Sequence, residues 1–145
     1  MTNPGQYRAY EPQDAPAVVA LWNRTIGGAF PLSVDLLRQV TELNPSFRPT
    51  DAVTVWEGDD LIGFGLLNRY RGEEEAYRAL ADHAHISAII VAPERQRQGI
   101  GTEIYLRLRS RIIDLPQERI RAGAGVFHLF PGPPEELPGA RPFFE

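Results

Sequence analysis

"IIVAPERQRQGIGTEIYLRL", residues Ile89 to Leu108, joins an apolar run to a helix-forming one through two glycines one residue apart. The run "HISAIIVAP" before them is rich in β-branched residues and almost wholly apolar toward its end, which predicts a central strand. From Gly99 a helix is expected to reach about Asp114. Ile100, Ile104, Leu108 and Ile112 recur every fourth residue and make one buried stripe. Pro116 stops it. Glycine at a helix start costs stability unless the backbone needs unusual dihedrals or something must come close.

A strand, a short glycine turn and a helix form a recurrent anion site. The first N–H groups of a helix have no intrahelical partner, and the helix dipole adds partial positive charge there. A phosphate accepts several of them at once. Gly99 and Gly101 have no side chains to block its approach, and Gln96, Arg97 and Gln98 add donors. Between Glu94 and Arg111 stand five arginines against two glutamates, a local excess of three positive charges. The plainer alternative is a chance Gly-x-Gly beside a solvated basic face. No Gly-Lys-Ser/Thr follows, so this is not a P-loop. No third glycine follows at dinucleotide spacing either.

The flanking sequence alternates strands and helices. "GQYRAY" reads as a first strand. Asp14 is a candidate cap for a helix over Ala15 to Thr25, with Val18, Leu21, Trp22 and Ile26 on one face and Gly27-Gly28 at its end. "PLSVDLLRQVTELNP" reads as a second helix, capped by Ser33 and stopped at Asn44-Pro45, with Leu36, Leu37, Val40 and Leu43 as its apolar side. Val53–Trp56 and Leu61–Leu67 are the arms of a hairpin around "EGDD". Gly63 and Gly65 weaken the second arm unless a bulge or close packing requires them. "RGEEEAYRALADH" reads as a polar loop with a helical turn or two, "AGVFHLF" as a later strand, "PGPPEELPG" as a rigid loop and "ARPFFE" as the start of a helix. The class is mixed α/β or α+β.

The 145 residues suffice for one domain with a core, and 43% hydrophobic with 23% charged residues is ordinary for a globular chain. The net charge of -4 argues against a general nucleic-acid binder. Without cysteine there is no disulfide, thiolate metal site or Cys nucleophile. "MTNPGQYRAY" lacks a signal-peptide core, and no stretch approaches the length of a membrane span, so a soluble cytoplasmic protein with no membrane partner is expected.

The quoted stretch resembles the acetyl-CoA-binding motif of the GCN5-related N-acetyltransferases (GNAT). The motif Gln/Arg-x-x-Gly-x-Gly/Ala is met by Gln96, Gly99 and Gly101, and the preceding Val-x-Pro by Val91 and Pro93. The order of elements follows the family over most of the chain. The resemblance implies a mixed, mostly antiparallel central sheet flanked by helices, with acetyl-CoA as cosubstrate and no metal. It implies that backbone amides of Arg97, Gln98, Gly99, Ile100, Gly101 and Thr102 hold the pyrophosphate. It implies that the edge carrying Ile89 and Val91 pairs with the pantetheine arm, and that a backbone N–H meets the thioester carbonyl where the strand splays.

Family members often place a Glu or His base on or near the central strand. By alternation His83, His85 and Ser87 share a face with Ile89 and Val91. His85 is the candidate base, or else a strand histidine with a structural hydrogen bond. The tyrosine that protonates the departing thiolate in many members corresponds here to Phe144, which has no proton to give. The resemblance also implies closing strands that are missing after Glu145, so an incomplete domain is expected, with a second copy or a further domain covering the sheet edge. Tyr7, Tyr10, Trp22, Phe30 and Phe47 either line an acceptor site or belong to the core. Glu73 to Glu75 either meet a cationic amine or form a solvated run.

Three functions stay open. The first is an N-acetyltransferase acting on an amine-bearing small molecule or peptide by direct attack. The second is a non-catalytic acyl-CoA-binding domain of a longer protein, and the third an interaction module that uses the fold without cofactor.

Overall fold

The hairpin lies at the middle of the sheet. The structure is a computed structural model and describes residues 5–71, 83–116 and 119–122. β2 (Ala52–Glu57) and β3 (Asp60–Asn68) flank a two-residue turn, Gly58-Asp59. Gly58 takes φ +62°, a left-handed conformation that suits a residue without Cβ. With β1 (Gln6–Ala9), β4 (Ala84–Val91) and β5 (Ile120–Ala122), the order is β1-β2-β3-β4-β5. Neighbours are antiparallel except β4 and β5, which run parallel. The sheet is therefore mixed and mostly antiparallel. The expected central strand is β4, an inner strand; β3 holds the middle.

Gly63 and Gly65 are explained by close packing. They lie under α3 (Ile100–Ser110), and a Cβ on Gly63 would stand 3.2 Å from Ile100 Cγ2 and from Ile104 Cδ1. The stripe spaced by four is buried as expected, with Ile100, Ile104, Leu108 and Ile112 all in the core. The helix ends at Ser110, short of Asp114. The turns beyond it bring Ile112 and Leu115 inward, and the Arg109 guanidinium donates to both of their carbonyls (2.7 and 2.9 Å). Phe64 and Leu66 alternate with the glycines and face the other way. Phe64 meets Tyr10 there edge to face, with ring centroids 6.2 Å apart.

α1 (Ala15–Ile26) buries Val18, Leu21, Trp22 and Ile26 as its spacing predicts. Asp14 does not cap it. Its carboxylate accepts from the Arg8 guanidinium (2.9 Å to each oxygen) and from the Glu11 amide (2.9 Å), which pins the preceding turn instead. Ser33 does cap α2 (Val34–Val40), accepting from the Leu36 amide at 3.1 Å. α2 stops before Asn44-Pro45, because Thr41 leaves helical dihedrals (φ −116°, ψ −102°) while its hydroxyl donates back to Leu37 O. Leu37 and Val40 are buried, but Leu36 and Leu43 face solvent at 36% and 70% exposure.

β5 was not expected at Ile120–Ala122. The segment 72–82, with Glu73 to Glu75, lies outside the described residues. So do the expected strand, loop and helix start between 124 and 145, with Phe144. Among the described residues no helix is long and apolar enough to cross a membrane.

Candidate functional site

β5 pairs with β4 only at Ala84, His85 and Ile86. From Ser87 to Val91 the outer edge of β4 has no strand partner among the described residues. An extended ligand is one partner that such an edge accepts. Ile89 and Val91 lie on this stretch, opposite Gly65 and Gly63 of β3.

The open edge leads directly into the loop before α3. Pro93–Arg95 forms a 3-10 turn. Arg97 then takes φ +64° and Gly99 φ +86°, two left-handed residues on either side of Gln98. Left-handed residues at alternate positions curl the chain so that successive amides face one concavity, a geometry that receives anions. Gly99 is the N-cap residue of α3 and brings no side-chain cap. The first helical bond runs from the Glu103 amide to Gly99 O (3.0 Å), so the amides of Ile100, Gly101 and Thr102 precede the ladder. A Cβ on Gly99 would meet nothing within 4 Å, so the cradle is open on that side.

Side chains brace this loop. Gln96 Nε2 donates to Val91 O (3.1 Å), tying the loop to the strand end, and Gln98 Nε2 reaches Glu94 O at 3.5 Å. Arg24 of α1 holds Glu94 through two bonds of 3.0 Å. That guanidinium keeps the Glu94 carboxyl below the usual carboxylate range, and Glu94 in turn raises the Arg24 pKa. Arg95 pairs with Glu57. Arg107 pairs with Glu103 at 3.0 Å and lies over the Tyr7 ring, 4.5 Å from its centroid. Much of the local positive charge is thus engaged in holding the loop and α3. Arg97 is exposed at the mouth of the cradle and has no carboxylate partner among the described residues.

The expected grouping of His85 with Ile89 and Val91 is corrected. Leu66 pairs with Ala88 but Leu67 with Ile86, so Ser87 is an extra residue in β4, a β-bulge. The bulge reverses the alternation. His85 stands opposite Asn68, on the face of Phe64 and Leu66, whereas Ile89 and Val91 share the α3 face. His85 is half-buried. Two buried polar atoms flank the bulge without a hydrogen-bond partner, Ser87 Oγ and Asn68 Nδ2. Asn68 is not among the residues that sequence reasoning singles out. A serine interrupting an apolar strand was the signal for Ser87.

Of the aromatic candidates, Tyr10 and Trp22 belong to the core, each 2% exposed. Trp22 Nε1 donates to Phe30 O (2.6 Å), and Tyr10 packs edge-on against Phe47. A cavity of about 470 Å³ lined by Gln6, Tyr7, Arg8, Trp56, Gly58 and Asp59 lies by β1 and β2, away from the open β4 edge.

No curated protein sequence matches the chain. In fold it is similar to the glucosamine N-acetyltransferase region of a fungal multi-domain β-N-acetylglucosaminidase (TM-score 0.76, 18% identity, covering 99% of this chain and 17% of that one). It is similar to the ribosomal-protein-alanine N-acetyltransferase of Escherichia coli (TM-score 0.58, 19% identity, 76% of this chain and 60% of that one). It is also similar to a diaminobutyrate acetyltransferase of Paenibacillus lautus in complex with L-2,4-diaminobutyric acid and coenzyme A (TM-score 0.57, 19% identity, 74% and 58%). The chain spans less than two thirds of each of these. The model of the acetyltransferase (GNAT) family matches residues 17–124, from α1 through the open strand, the cradle and α3 to β5. With that match over most of its length, the chain belongs to the GNAT family of acetyltransferases.

Proposed function

We infer that the chain transfers an acetyl group from acetyl-CoA to a primary amine by direct attack. One observation carries this reading: a strand edge without a strand partner among the described residues, Ser87 to Val91, runs straight into a left-handed loop and an uncapped helix start. An amide-containing arm ending in a pyrophosphate matches both parts. The amides of Arg97 to Thr102 receive the phosphates, and the exposed Arg97 side chain adds charge. The pantetheine amides add to the β4 edge beside Ile89 and Val91 as an extra strand would. A backbone N–H of β4 near Ser87 polarises the thioester carbonyl. The amine attacks as a free base, and its proton passes to His85 or to water. The co-crystallised amino acid and coenzyme A of the Paenibacillus enzyme support the same class of acceptor.

Phe144 favours a second reading, a domain that binds acyl-CoA without turnover, since phenylalanine has no proton for the departing thiolate. Isothermal titration of acetyl-CoA tests the shared part. Binding lost in Gly99→Glu and Gly101→Glu supports the cradle, and an unchanged affinity in both variants rejects it. Turnover with a panel of primary amines then separates an enzyme from a binding domain.

A further inference from the structure

Ser87 interrupts the apolar part of β4. It is the extra residue of the β4 bulge, it is 1% exposed, and its hydroxyl is buried without a partner. A buried polar group left unpaired costs stability, and such groups are rare enough in folded proteins to require a reason. Its neighbours Ile86 and Ala88 are buried and apolar, and alanine would fill its place without that cost.

The edge itself indicates which partner would arrive. β5 seals the outer side of β4 at Ala84 to Ile86. An extended ligand that starts at the phosphate cradle beside Val91 can follow the edge only as far as Ser87, roughly 13 Å at about 3.3 Å per residue. Pairing with β5 at Ile86 keeps the far end of such a ligand from passing Ser87. If the ligand is acetyl-CoA, a premise taken from the proposed function, that end is the thioester.

We propose that the Ser87 hydroxyl donates a hydrogen bond to the coenzyme A sulfur as it departs. The amine nitrogen forms the new C–N bond, and the C–S electron pair collapses onto sulfur. The amine proton goes to the base or to water. Ser87 keeps its own proton and stabilises the thiolate by hydrogen bonding, and the thiolate takes a proton from water on release. Donors to a charged acceptor are stronger in a dry site, and the buried bulge is one. This assigns to a strand residue the thiolate-stabilising role that Phe144 cannot fill.

The test needs no acceptor. Coenzyme A is bound to the wild-type chain and to Ser87→Ala, and the thiol of the complex is titrated by its ultraviolet thiolate absorbance. The expected result is a thiol pKa higher by roughly one unit or more in Ser87→Ala, the loss of a hydrogen bond to the charged form. At neutral pH, where the bound thiol is protonated, coenzyme A affinity should hold in Ser87→Ala, and the melting temperature should hold or rise, because the hydroxyl removed is buried without a partner. Equal thiol pKa values in wild type and Ser87→Ala, with coenzyme A bound to both, overturn the role of Ser87 and leave the proposed function standing. Failure of the wild-type chain to bind coenzyme A overturns both.

Discussion

Gly65 lies so close beneath Ile104 that a Cβ on the glycine would stand 2.2 Å from Ile104 Cγ2 and 3.2 Å from Leu108 Cδ1. The helix that carries the cradle is seated where the strand has no side chain. Gly65→Ala should destabilise the fold by about 1–3 kcal/mol through overpacking. Gly63→Ala, whose nearest contacts would be 3.1–3.2 Å, should cost less. Denaturant midpoints of the two variants give the comparison, and equal stability to wild type in Gly65→Ala would contradict this packing.

Ile104→Ala removes a fully buried side chain and should cost about 2–5 kcal/mol alone. Combined with Gly65→Ala it leaves room for the added methyl. The double variant should be more stable than the two separate losses predict, with a coupling of about 0.5–3 kcal/mol. Strict additivity would mean that the two residues do not press on each other.

Arg97 holds a left-handed backbone, which costs a residue with a Cβ roughly 1–2 kcal/mol. Arg97→Gly relieves that strain and adds unfolded-state freedom, so stability should change by no more than about 1 kcal/mol. Acetyl-CoA affinity should fall several-fold and become less sensitive to salt, because an exposed cation beside the proposed phosphate site is gone. An affinity equal to wild type at low salt would remove the guanidinium from the site.

The Arg24–Glu94 pair ties α1 to the loop, and both side chains are about half exposed. The lowered Glu94 pKa fixes the sign of its pH dependence. The link is complete above the ordinary glutamate pKa of about 4.3 and is lost as the pH falls through the lower folded value. Glu94→Gln should therefore weaken acetyl-CoA binding at neutral pH with little change in melting temperature. A variant that binds like wild type at pH 7 would show that the loop keeps its shape unaided.

Tyr10 gives the opposite sign. Burial, the largest cause, pushes its phenol up to about 12. Its contribution to stability is complete below the ordinary tyrosine pKa of about 10 and is lost as the pH rises toward 12. Tyr10→Phe should resist alkaline unfolding better than wild type. An identical alkaline midpoint would argue against that contribution.

The sequence carried α3, its stripe, the hairpin and the Ser33 cap, because each rests on local periodicity or a short-range hydrogen bond. Gln96 to Thr102 and the strand residues Ile89 and Val91, grouped in the sequence, are also neighbours in the fold. What the sequence missed depends on contacts across the chain. Asp14 has the right spacing for a helix cap, but Arg8 of a separate strand competes for its carboxylate. Thr41 ends α2 through its own backbone while remaining within an apolar pattern. β5 is described over Ile120–Ala122, and a stretch of three residues reveals no period. His85 was assigned to the wrong face because counting by twos assumes an unbroken ladder, and neither glycine nor proline marks the break at Ser87.

That break gives β4 two phases. One residue out of step, the upstream half turns His85 toward the face of Phe64 while the downstream half turns Ile89 and Val91 toward the helix of the cradle. Deleting Ser87 would bring the halves back into step and exchange the two covered faces of the sheet in one of them. The chain could then keep its core or its ligand edge in register, but not both. The extra residue is the offset that lets a single strand satisfy two incompatible patterns.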